Sequence, residues 1–304
     1  MGGRVVMITL LLATASASAS SGPPPPALST ASVDCQGKNF VVTGSSTAGS
    51  LGACVARCLA DGGASGLVLV GSRPAPTFDL DSWKADFPDC CIHYVSADLS
   101  DAGSCTGLME TANEAFGGQL HGLANIAGMA FPRGTLDDTS VELWGKMMDL
   151  NLRAPFLLTQ AASRIMRRSA IQGSIVNLGS IAAYGGAPFL CPYSVTKGGL
   201  STLTKVSALE LQPDRIRVNC VNIGWTLTEN EDKCQAEEQG EDWLEKAEAS
   251  QRIGRLLRPA DIAPTIAHLL SDASTMITGS VLDISPEFIH GCLPMGTGRS
   301  SDSD

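Results

Sequence analysis

Short apolar runs alternate with longer stretches of helical periodicity along most of the chain. Continuous apolar runs are typical of buried parallel strands, and regular alternation of strands with helices indicates a parallel sheet covered on both faces. We therefore expect an α/β fold with one doubly wound parallel sheet of about seven strands, flanked by helices. The runs predict strands at 39–43, 67–70, 91–97, 120–128, 174–178, 216–221 and 277–284.

Both ends of the chain lack this alternation. Residues 1–20 combine Arg4 with an apolar run from Val5 to Ala13 and then small residues, which is typical of a signal peptide and too short to anchor the mature protein in a bilayer. An untargeted N-terminus is the alternative. Residues 21–33 are rich in Pro and Ser and predict an extended linker. We expect the folded domain at 34–290 and a disordered acidic tail at 291–304.

Composition narrows the classes of function. The 304 residues are 44% hydrophobic, which suits one large domain rather than two. The formal net charge is −10 and no basic cluster exists beyond Arg167 and Arg168, which excludes nucleic acid as a partner. The four His and ten Cys lack ligand spacing, so we expect no metal site. Most cysteines, including Cys54 and Cys58 in a predicted helix, should be small buried hydrophobes.

Candidate chemistry is concentrated between residues 173 and 211. Tyr193 and Lys197 lie four residues apart on a helix predicted to open at Pro192, so their side chains share one face. An ammonium about 4 Å from a phenol would lower the phenol pKa by about three units from its usual value near 10. A tyrosine tuned in this way exchanges a proton with a substrate oxygen near neutral pH.

The context of this pair distinguishes it from two solvated side chains on a surface helix. Neither Tyr94 nor Tyr184 has a lysine four positions on. Ser180 precedes Tyr193 by thirteen residues and directly follows the predicted strand 174–178. Strand ends are where parallel sheets hold their sites.

This arrangement resembles the short-chain dehydrogenase/reductase family, whose site combines a strand-end Ser with Tyr-x-x-x-Lys. The resemblance implies a Rossmann-like, NAD(P)-binding catalytic domain that transfers hydride between nicotinamide and a carbonyl or secondary alcohol. It also implies that Ser180 orients the substrate carbonyl, that Tyr193 is the acid/base, and that Lys197 tunes Tyr193 and holds the nicotinamide ribose.

A proline inside a long helical pattern, residues 141–168, supports the resemblance. Pro155 has no N–H, so the carbonyl of Asn151 is left free and a kink is expected there. In the family, an Asn at this place holds a water linked to the catalytic Lys. The resemblance therefore adds Asn151 to the catalytic set, with a merely structural kink as the alternative.

A glycine-rich turn, TGSSTAGSLG from Thr43 to Gly52, joins the first strand to a helical pattern. Glycines let the backbone approach a pyrophosphate, and a helix N-terminus supplies free N–H groups. A plain tight connection is the alternative. The family's turn reads T-G-x-x-x-G-x-G, so this turn is two residues longer, and hydroxyls of Ser45, Ser46 and Thr47 are available as extra contacts.

The second strand ends in Gly71-Ser72-Arg73 and lacks the acidic residue that holds a ribose 2′-hydroxyl. A guanidinium suits a 2′-phosphate, so we expect NADP(H) to be favoured over NAD(H), with a solvated loop cation as the alternative for Arg73. Asp98 matches the family's acidic residue beside the adenine, or else caps the next helix.

Two further segments resemble family motifs. Residues 125–128, NIAG, resemble N-N-A-G with Ile126 in place of the second Asn, and residues 224–228 resemble P-G-x-x-x-T with Ile223 in place of the proline. The last Thr of that motif holds the nicotinamide carboxamide. Together with Tyr193 and Lys197, the resemblance implies a cofactor site formed by Gly44, Ser46, Gly49, Leu51, Gly52, Ser72, Arg73, Asp98, Leu99, Asn125, Ala127, Gly128, Gly224, Thr226 and Thr228.

Residues 229–248 carry nine Asp or Glu against Lys233 and Lys246, where relatives have a substrate lid. Such a run is either a solvated face or, at the mouth of the site, a barrier to anionic substrates and acidic carrier proteins. The substrate should be a small carbonyl or alcohol. A 3-oxoacyl-carrier-protein reductase is an alternative that the acidic run disfavours. A non-catalytic cofactor-binding sensor or scaffold is another, which the intact catalytic set disfavours.

Two expectations concern the whole molecule. We expect a homodimer or homotetramer without a membrane span in the mature form. The leader favours the secretory pathway, in the endoplasmic reticulum lumen or a plastid reached through it, whereas a non-functional leader implies the cytoplasm.

Overall fold

The computed structural model describes residues 33–185 and 187–289. The predicted leader 1–20, the linker 21–33 apart from Val33, and the tail 291–304 lie outside the described residues. Within these residues the strands are β1 Asn39–Thr43, β2 Gly66–Gly71, β3 Cys91–Ser96, β4 Gly122–Asn125, β5 Ser174–Ser180, β6 Arg217–Ile223 and β7 Val281–Ile284. The helices are α1 Leu51–Asp61, α2 Leu80–Asp86, α3 Ala102–Ala115, α4 Val141–Met148, α5 Ala154–Arg168, α6 Cys191–Leu211, α7 Glu229–Gln239, α8 Trp243–Ser250 and α9 Pro259–Leu270.

All seven strands run parallel in one sheet, in the order β3-β2-β1-β4-β5-β6-β7. The chain starts near the centre, winds outward to β3, and returns to β4 before winding outward to β7. This confirms the predicted doubly wound, Rossmann-like sheet. The reversal between β1 and β4 opens a crevice at the carboxyl edge, which is the place where such sheets bind ligands.

The five central strands of the sheet are buried on both faces, which explains their continuous apolar runs. Val41 and Val42 are neighbours on β1 and neither is exposed to solvent, yet they pack into different cores. Val42 faces the layer that contains α1 and α9, and Val41 faces the layer of α3, α5 and α6. Cys54 and Cys58 lie in a helix, α1, as predicted, but they are half-buried rather than buried. Among the described helices, none combines the length and apolar character needed to cross a membrane.

β4 is shorter than predicted because a side chain takes over its backbone partners. It ends at Asn125 rather than at Gly128. The Thr43 hydroxyl donates to the Ala124 carbonyl (3.2 Å) and accepts from the amides of Ile126 (2.8 Å) and Ala127 (2.9 Å). These two amides therefore leave the sheet ladder, and the chain turns away at the crevice.

β7 is also shorter, beginning at Val281 rather than at residue 277. Gly279 adopts φ +70°, a left-handed conformation that an extended strand does not contain. The Thr278 hydroxyl accepts from the Val218 amide at 3.1 Å, and the Gly279 amide donates to the Val218 carbonyl at 2.8 Å. This segment therefore meets β6 partly through a side chain before regular pairing starts.

The pattern predicted as one kinked helix over 141–168 is two helices joined by a wider turn. Residues 149–153 form a π-helical turn between α4 and α5, in which the Ala154 amide bonds to the Asp149 carbonyl, five residues back. The missing N–H of Pro155 is thus accompanied by a local change in winding.

α1 approaches the end of β1 very closely at one glycine. A Cβ built on Gly52 would lie 2.5 Å from the carbonyl oxygens of both Thr43 and Gly44. Gly49, in the longer glycine turn, has no neighbouring atom within 4 Å of such a Cβ. The sequence assigns both glycines to the same turn, but only Gly52 is required for helix–strand packing.

We expect Gly52→Ala to lower the free energy of unfolding by about 1–3 kcal/mol, since the clash with backbone outweighs the usual gain of about 1 kcal/mol from alanine in a helix. Gly49→Ala is the matched control and should change stability by less than about 0.5 kcal/mol. Urea unfolding of the two variants measures both values. Equal midpoints would show that the close approach of α1 to β1 does not occur.

Candidate active site

The residues proposed from sequence meet at the carboxyl edge of the sheet. The glycine turn follows β1, Ser72 and Arg73 follow β2, and Asp98 follows β3. Asn125 ends β4, Ser180 ends β5, and Gly224 follows β6. Because all strands are parallel, their carboxyl ends lie along one edge, and the structure brings these groups to the same side of the molecule.

Tyr193 and Lys197 share one face of α6, as predicted. The Lys197 Nζ lies 5.5 Å from the centre of the Tyr193 ring. Lys197 is only 3% exposed, and its Nζ donates to the Leu178 carbonyl at 2.7 Å. Leu178 lies in β5, two residues before Ser180. A backbone carbonyl of β5 therefore fixes the ammonium at the strand end, a contact that no side-chain motif reveals.

Ser180 is buried at the last position of β5. Its Oγ accepts from the Ala182 amide at 3.2 Å and so caps the short 3₁₀ turn Ile181–Tyr184. The Ser180 hydroxyl lowers the pKa of the nearby Tyr193 phenol and thereby opposes the effect of burial. The side chains of Ser180 and Tyr193 are therefore neighbours in the site.

The expected lowering of the Tyr193 pKa by Lys197 is wrong for this structure. Burial raises the pKa of Tyr193 to about 12, and the negative charge of Glu231 adds to the rise. Burial outweighs the attraction of the Lys197 ammonium, which is bonded to the Leu178 carbonyl. The phenol is consequently protonated at neutral pH, which is the state required of a proton donor.

Burial shifts the pKa of Lys197 downward, in the opposite direction to that of Tyr193. Removal from water lowers the pKa of Lys197 to about 8, with a smaller opposing effect from the thiol of Cys220. Burial also raises the pKa of Cys220, to about 11. A lysine near this value is mostly charged at neutral pH but loses its proton in mildly alkaline solution.

Asn151 connects the π-helical turn to the loop after β4. Its side-chain amide donates to the Met129 carbonyl at 2.8 Å and accepts from the Met129 amide at 2.9 Å. It also donates to the Thr196 hydroxyl at 3.3 Å, next to Lys197 on α6. A Cβ on Gly128 would stand 3.1 Å from Asn151 Oδ1 and 3.5 Å from Lys197 Nζ. Asn151 and Lys197 therefore flank the same glycine.

The turn after β1 fits a pyrophosphate. Gly44 has φ +74°, and a Cβ there would lie 3.1 Å from the Ala127 amide, so only glycine allows this approach to the β4 loop. α1 begins at Leu51 behind a Ser50 cap, so its N-terminus directly follows the glycine turn. Backbone N–H groups at a helix N-terminus are the donors that a dinucleotide pyrophosphate requires.

The residues predicted to bind the adenosine half of the cofactor differ in how far they are exposed to solvent. Ser72 and Arg73 are exposed after β2, whereas the side chains of Leu51 and Leu99 are buried in the two cores and leave only backbone for a ligand. Asp98 Oδ1 accepts from the Ser100 amide (2.9 Å) and hydroxyl (2.6 Å), which lowers its pKa. Asp98 does not cap α3, since Asp101 does, so the alternative given to Asp98 is wrong.

The segment after β6 holds the groups predicted for the nicotinamide half. The Thr226 hydroxyl is buried and donates to the Gly224 carbonyl at 3.0 Å. Thr228 caps α7, where its oxygen accepts from the Glu231 amide at 3.1 Å. Capping uses the acceptor of Thr228 and leaves its O–H proton for another partner. A Cβ on Gly224 would lie 2.6 Å from Ser285 Oγ, so Ser285 closes this side.

Part of the acidic run 229–248 borders the site. The sequence alone allowed either this position or a solvated face. Glu231 Oε1 accepts from the indole N–H of Trp225 and from the side-chain amide of Gln235, each at 2.7 Å. The negative charge of Glu231 adds to the rise of the Tyr193 pKa, to a smaller extent than burial does. Farther along α7, Glu238 pairs with Arg133 of the loop after β4 at 3.4 Å. α7 is thus attached to the loop that also contacts Asn151.

Comparisons with known proteins show which family this chain resembles. A family model described as enoyl-(acyl carrier protein) reductase matches residues 44–285. An uncharacterised oxidoreductase of Methylorubrum extorquens is 34% identical over 82% of this chain and 97% of its own length. The NADP-dependent (R)-specific alcohol dehydrogenase of Lentilactobacillus kefiri is 30% identical over 81% of this chain and 94% of its own length.

One similar solved structure contains a cofactor and a substrate. The L-sorbose reductase of Gluconobacter frateurii, complexed with NADPH and L-sorbose, superposes with a TM-score of 0.75 at 28% identity, covering 84% of this chain and 97% of that one. The chain belongs to the short-chain dehydrogenase/reductase family. It is an NAD(P)-dependent oxidoreductase of carbonyl and alcohol groups.

The buried ammonium of Lys197 should make stability depend on pH. Its pKa is about 8 in the folded chain and near 10.5 in the unfolded chain, so the unfolded state binds more protons between these values and stability rises with pH. Compared with Lys197→Met, the wild type should gain about 2 kcal/mol between pH 7 and pH 10. Denaturant unfolding at several pH values measures the difference.

Lys205→Met removes an exposed lysine of the same helix and supplies the baseline for this comparison. A constant difference between wild type and Lys197→Met over the whole pH range would contradict burial of the ammonium.

Proposed function

We propose that the protein reduces a small carbonyl compound with NADPH, and that Tyr193 delivers the proton to the substrate oxygen. The grouping of Ser180, Tyr193 and Lys197 at the carboxyl end of β5 carries this proposal. A bound nicotinamide would supply the hydride. A phenol that is protonated at neutral pH favours the reductive direction, because the developing alkoxide must take up a proton.

Each side chain of the catalytic set has a separate task in this proposal. The Ser180 hydroxyl orients the carbonyl oxygen toward the phenol, and Tyr193 gives up its proton. The Lys197 ammonium, fixed by the Leu178 carbonyl, stabilises the phenolate that results and is placed to bind the nicotinamide ribose. Asn151 holds the loop after β4 against α6, and its backbone carbonyl, which Pro155 cannot engage, is available to a water that returns the proton.

The preference for NADP(H) rests on the end of β2. Ser72 and Arg73 are exposed there without a neighbouring carboxylate in the segment, and a guanidinium binds a 2′-phosphate through charge-assisted hydrogen bonds. The alcohol dehydrogenase of L. kefiri is NADP-dependent and the sorbose reductase structure contains NADPH, which supports the same choice.

The lid favours neutral substrates. Glu231 and Glu238 place negative charge at the side of the site, and most of the other acidic residues of α7 and α8 are exposed. Repulsion disfavours anionic substrates and acidic carrier proteins, which argues against the alternative of a 3-oxoacyl-carrier-protein reductase. A sensor without turnover has no use for a serine, a phenol and an ammonium at one strand end.

We also propose a homodimer or homotetramer, supported by apolar side chains exposed on α4 and α5, including Trp144 and Phe156. The signal-like residues 1–20 support a compartment reached through the secretory pathway, in the endoplasmic reticulum lumen or a plastid.

Tyr193→Phe should bind NADPH within about twofold of wild type but lose at least about 100-fold in the rate of carbonyl reduction, since it removes only the proton donor. Fluorescence titration and a panel of aldehydes and ketones measure the two properties. Tyr184→Phe makes the same chemical change four residues after Ser180 and should keep most of the rate. Binding of NADPH by the wild type without oxidation across the panel would favour the sensor.

Arg73→Ala should weaken NADPH binding by about 10- to 100-fold and leave NADH binding nearly unchanged, because only the 2′-phosphate contacts are lost. Arg168→Ala removes an exposed arginine at the end of α5 and should leave both dissociation constants unchanged. Equal losses for the two cofactors would exclude a 2′-phosphate contact by Arg73.

A further inference from the structure

Tyr94 connects two turns that border the adenosine half of the site. It lies on the edge strand β3, paired with Leu69 of β2. Its hydroxyl donates to the Arg73 carbonyl at 2.9 Å and lies 3.4 Å from the Ser46 hydroxyl. A single phenol therefore touches the turn after β2 and the glycine-rich turn after β1.

The glycine-rich turn is attached to the turn after β2 by backbone as well. The Ser45 amide donates to the Val70 carbonyl at 2.9 Å, and the Thr77 amide donates to the Ser46 carbonyl at 2.9 Å. Ser45 is fully buried, whereas the next part of the turn, at Ala48 and Gly49, is exposed. The longer turn thus departs from the family length while its first residues are held against the end of β2.

Gly71 shows how closely these groups approach. A Cβ on Gly71 would lie 2.6 Å from the Tyr94 hydroxyl and would overlap the Ser46 hydroxyl. Only the absence of a side chain at this last residue of β2 lets the serine and the tyrosine meet above it. The contact between Ser46 and Tyr94 therefore requires a glycine at position 71.

The hydrogen bonds leave Ser46 available to a ligand. Since Tyr94 gives its proton to the Arg73 carbonyl, Ser46 is the donor in the contact between the two hydroxyls. At 3.4 Å this contact is long and readily exchanged for one to a phosphate oxygen. The Arg73 backbone, in contrast, is held at 2.9 Å.

We propose that Tyr94 is a positioning residue for cofactor choice, which holds Ser46 and Arg73 together so that both can bind the 2′-phosphate of NADPH. The proposal rests on the NADP preference of the proposed function and adds a residue that makes no contact with the phosphate itself. Tyr94 also packs against the core beside α1, so its ring and its hydroxyl have different roles.

Tyr94→Phe separates these roles, because it keeps the ring and removes both contacts of the hydroxyl. We expect the dissociation constant for NADPH to rise by about three- to tenfold and that for NADH to change by less than twofold, as measured by fluorescence titration without substrate. In an Arg73→Ala background, the same substitution should weaken NADPH binding by a smaller factor than in the wild type, because only the positioning of Ser46 remains to be lost. Tyr184→Phe is the control.

Several outcomes would overturn the proposal. Unchanged NADPH binding, equal weakening of both cofactors, or additive effects in the double variant would each show that Tyr94 has only a structural role. Loss of preference in Arg73→Ala but not in Tyr94→Phe would refute the positioning role and leave the NADP assignment intact. A wild type that binds NADPH and NADH equally would refute both. If Tyr94→Phe does not fold, Ser46→Ala decides the question, and it should weaken NADPH binding selectively.

Discussion

The crevice depends on one hydroxyl, that of Thr43 at the end of β1. It donates one hydrogen bond to the Ala124 carbonyl and accepts two, from the amides of Ile126 and Ala127, which uses the full capacity of a threonine side chain. Buried backbone amides must find partners, and here the partner is a side chain of β1 rather than a backbone carbonyl of the strand ladder. β1 and β4 can therefore separate at their carboxyl ends without an unsatisfied amide, and the glycine turn and Gly128 line the space that results.

Much of this architecture follows from local pattern. Apolar runs located seven strands, and the spacing of Ser180, Tyr193 and Lys197 located the site, because both depend on residue type and sequence distance. The ends of β4 and β7 were missed since they depend on the Thr43 hydroxyl and on the left-handed Gly279, which are long-range or conformational features. The pKa of Tyr193 was missed because the direction of the Lys197 ammonium and the depth of burial are tertiary properties.

The position of Lys197 shows a conflict between stability and function. Its ammonium is nearly buried and donates to the Leu178 carbonyl, and within the described part of the chain no carboxylate pairs with it. A buried charge compensated mainly by a carbonyl dipole weakens the fold, as its lowered pKa records. The same isolation from water strengthens its field at the phenol once negative charge develops there.

The π-helical turn Asp149–Arg153 allows the chain length to vary at this point. Such a turn contains one residue more than regular α-helical winding allows. Deleting a single residue here would restore ordinary winding and would leave the orientation of α5 nearly unchanged, because a turn with i→i−5 bonds takes up the extra residue within about the same rotation. Side chains of α5 that cover the sheet, such as Leu158 and Met166, would stay buried. Single-residue gaps in alignments with relatives should therefore be tolerated in this segment.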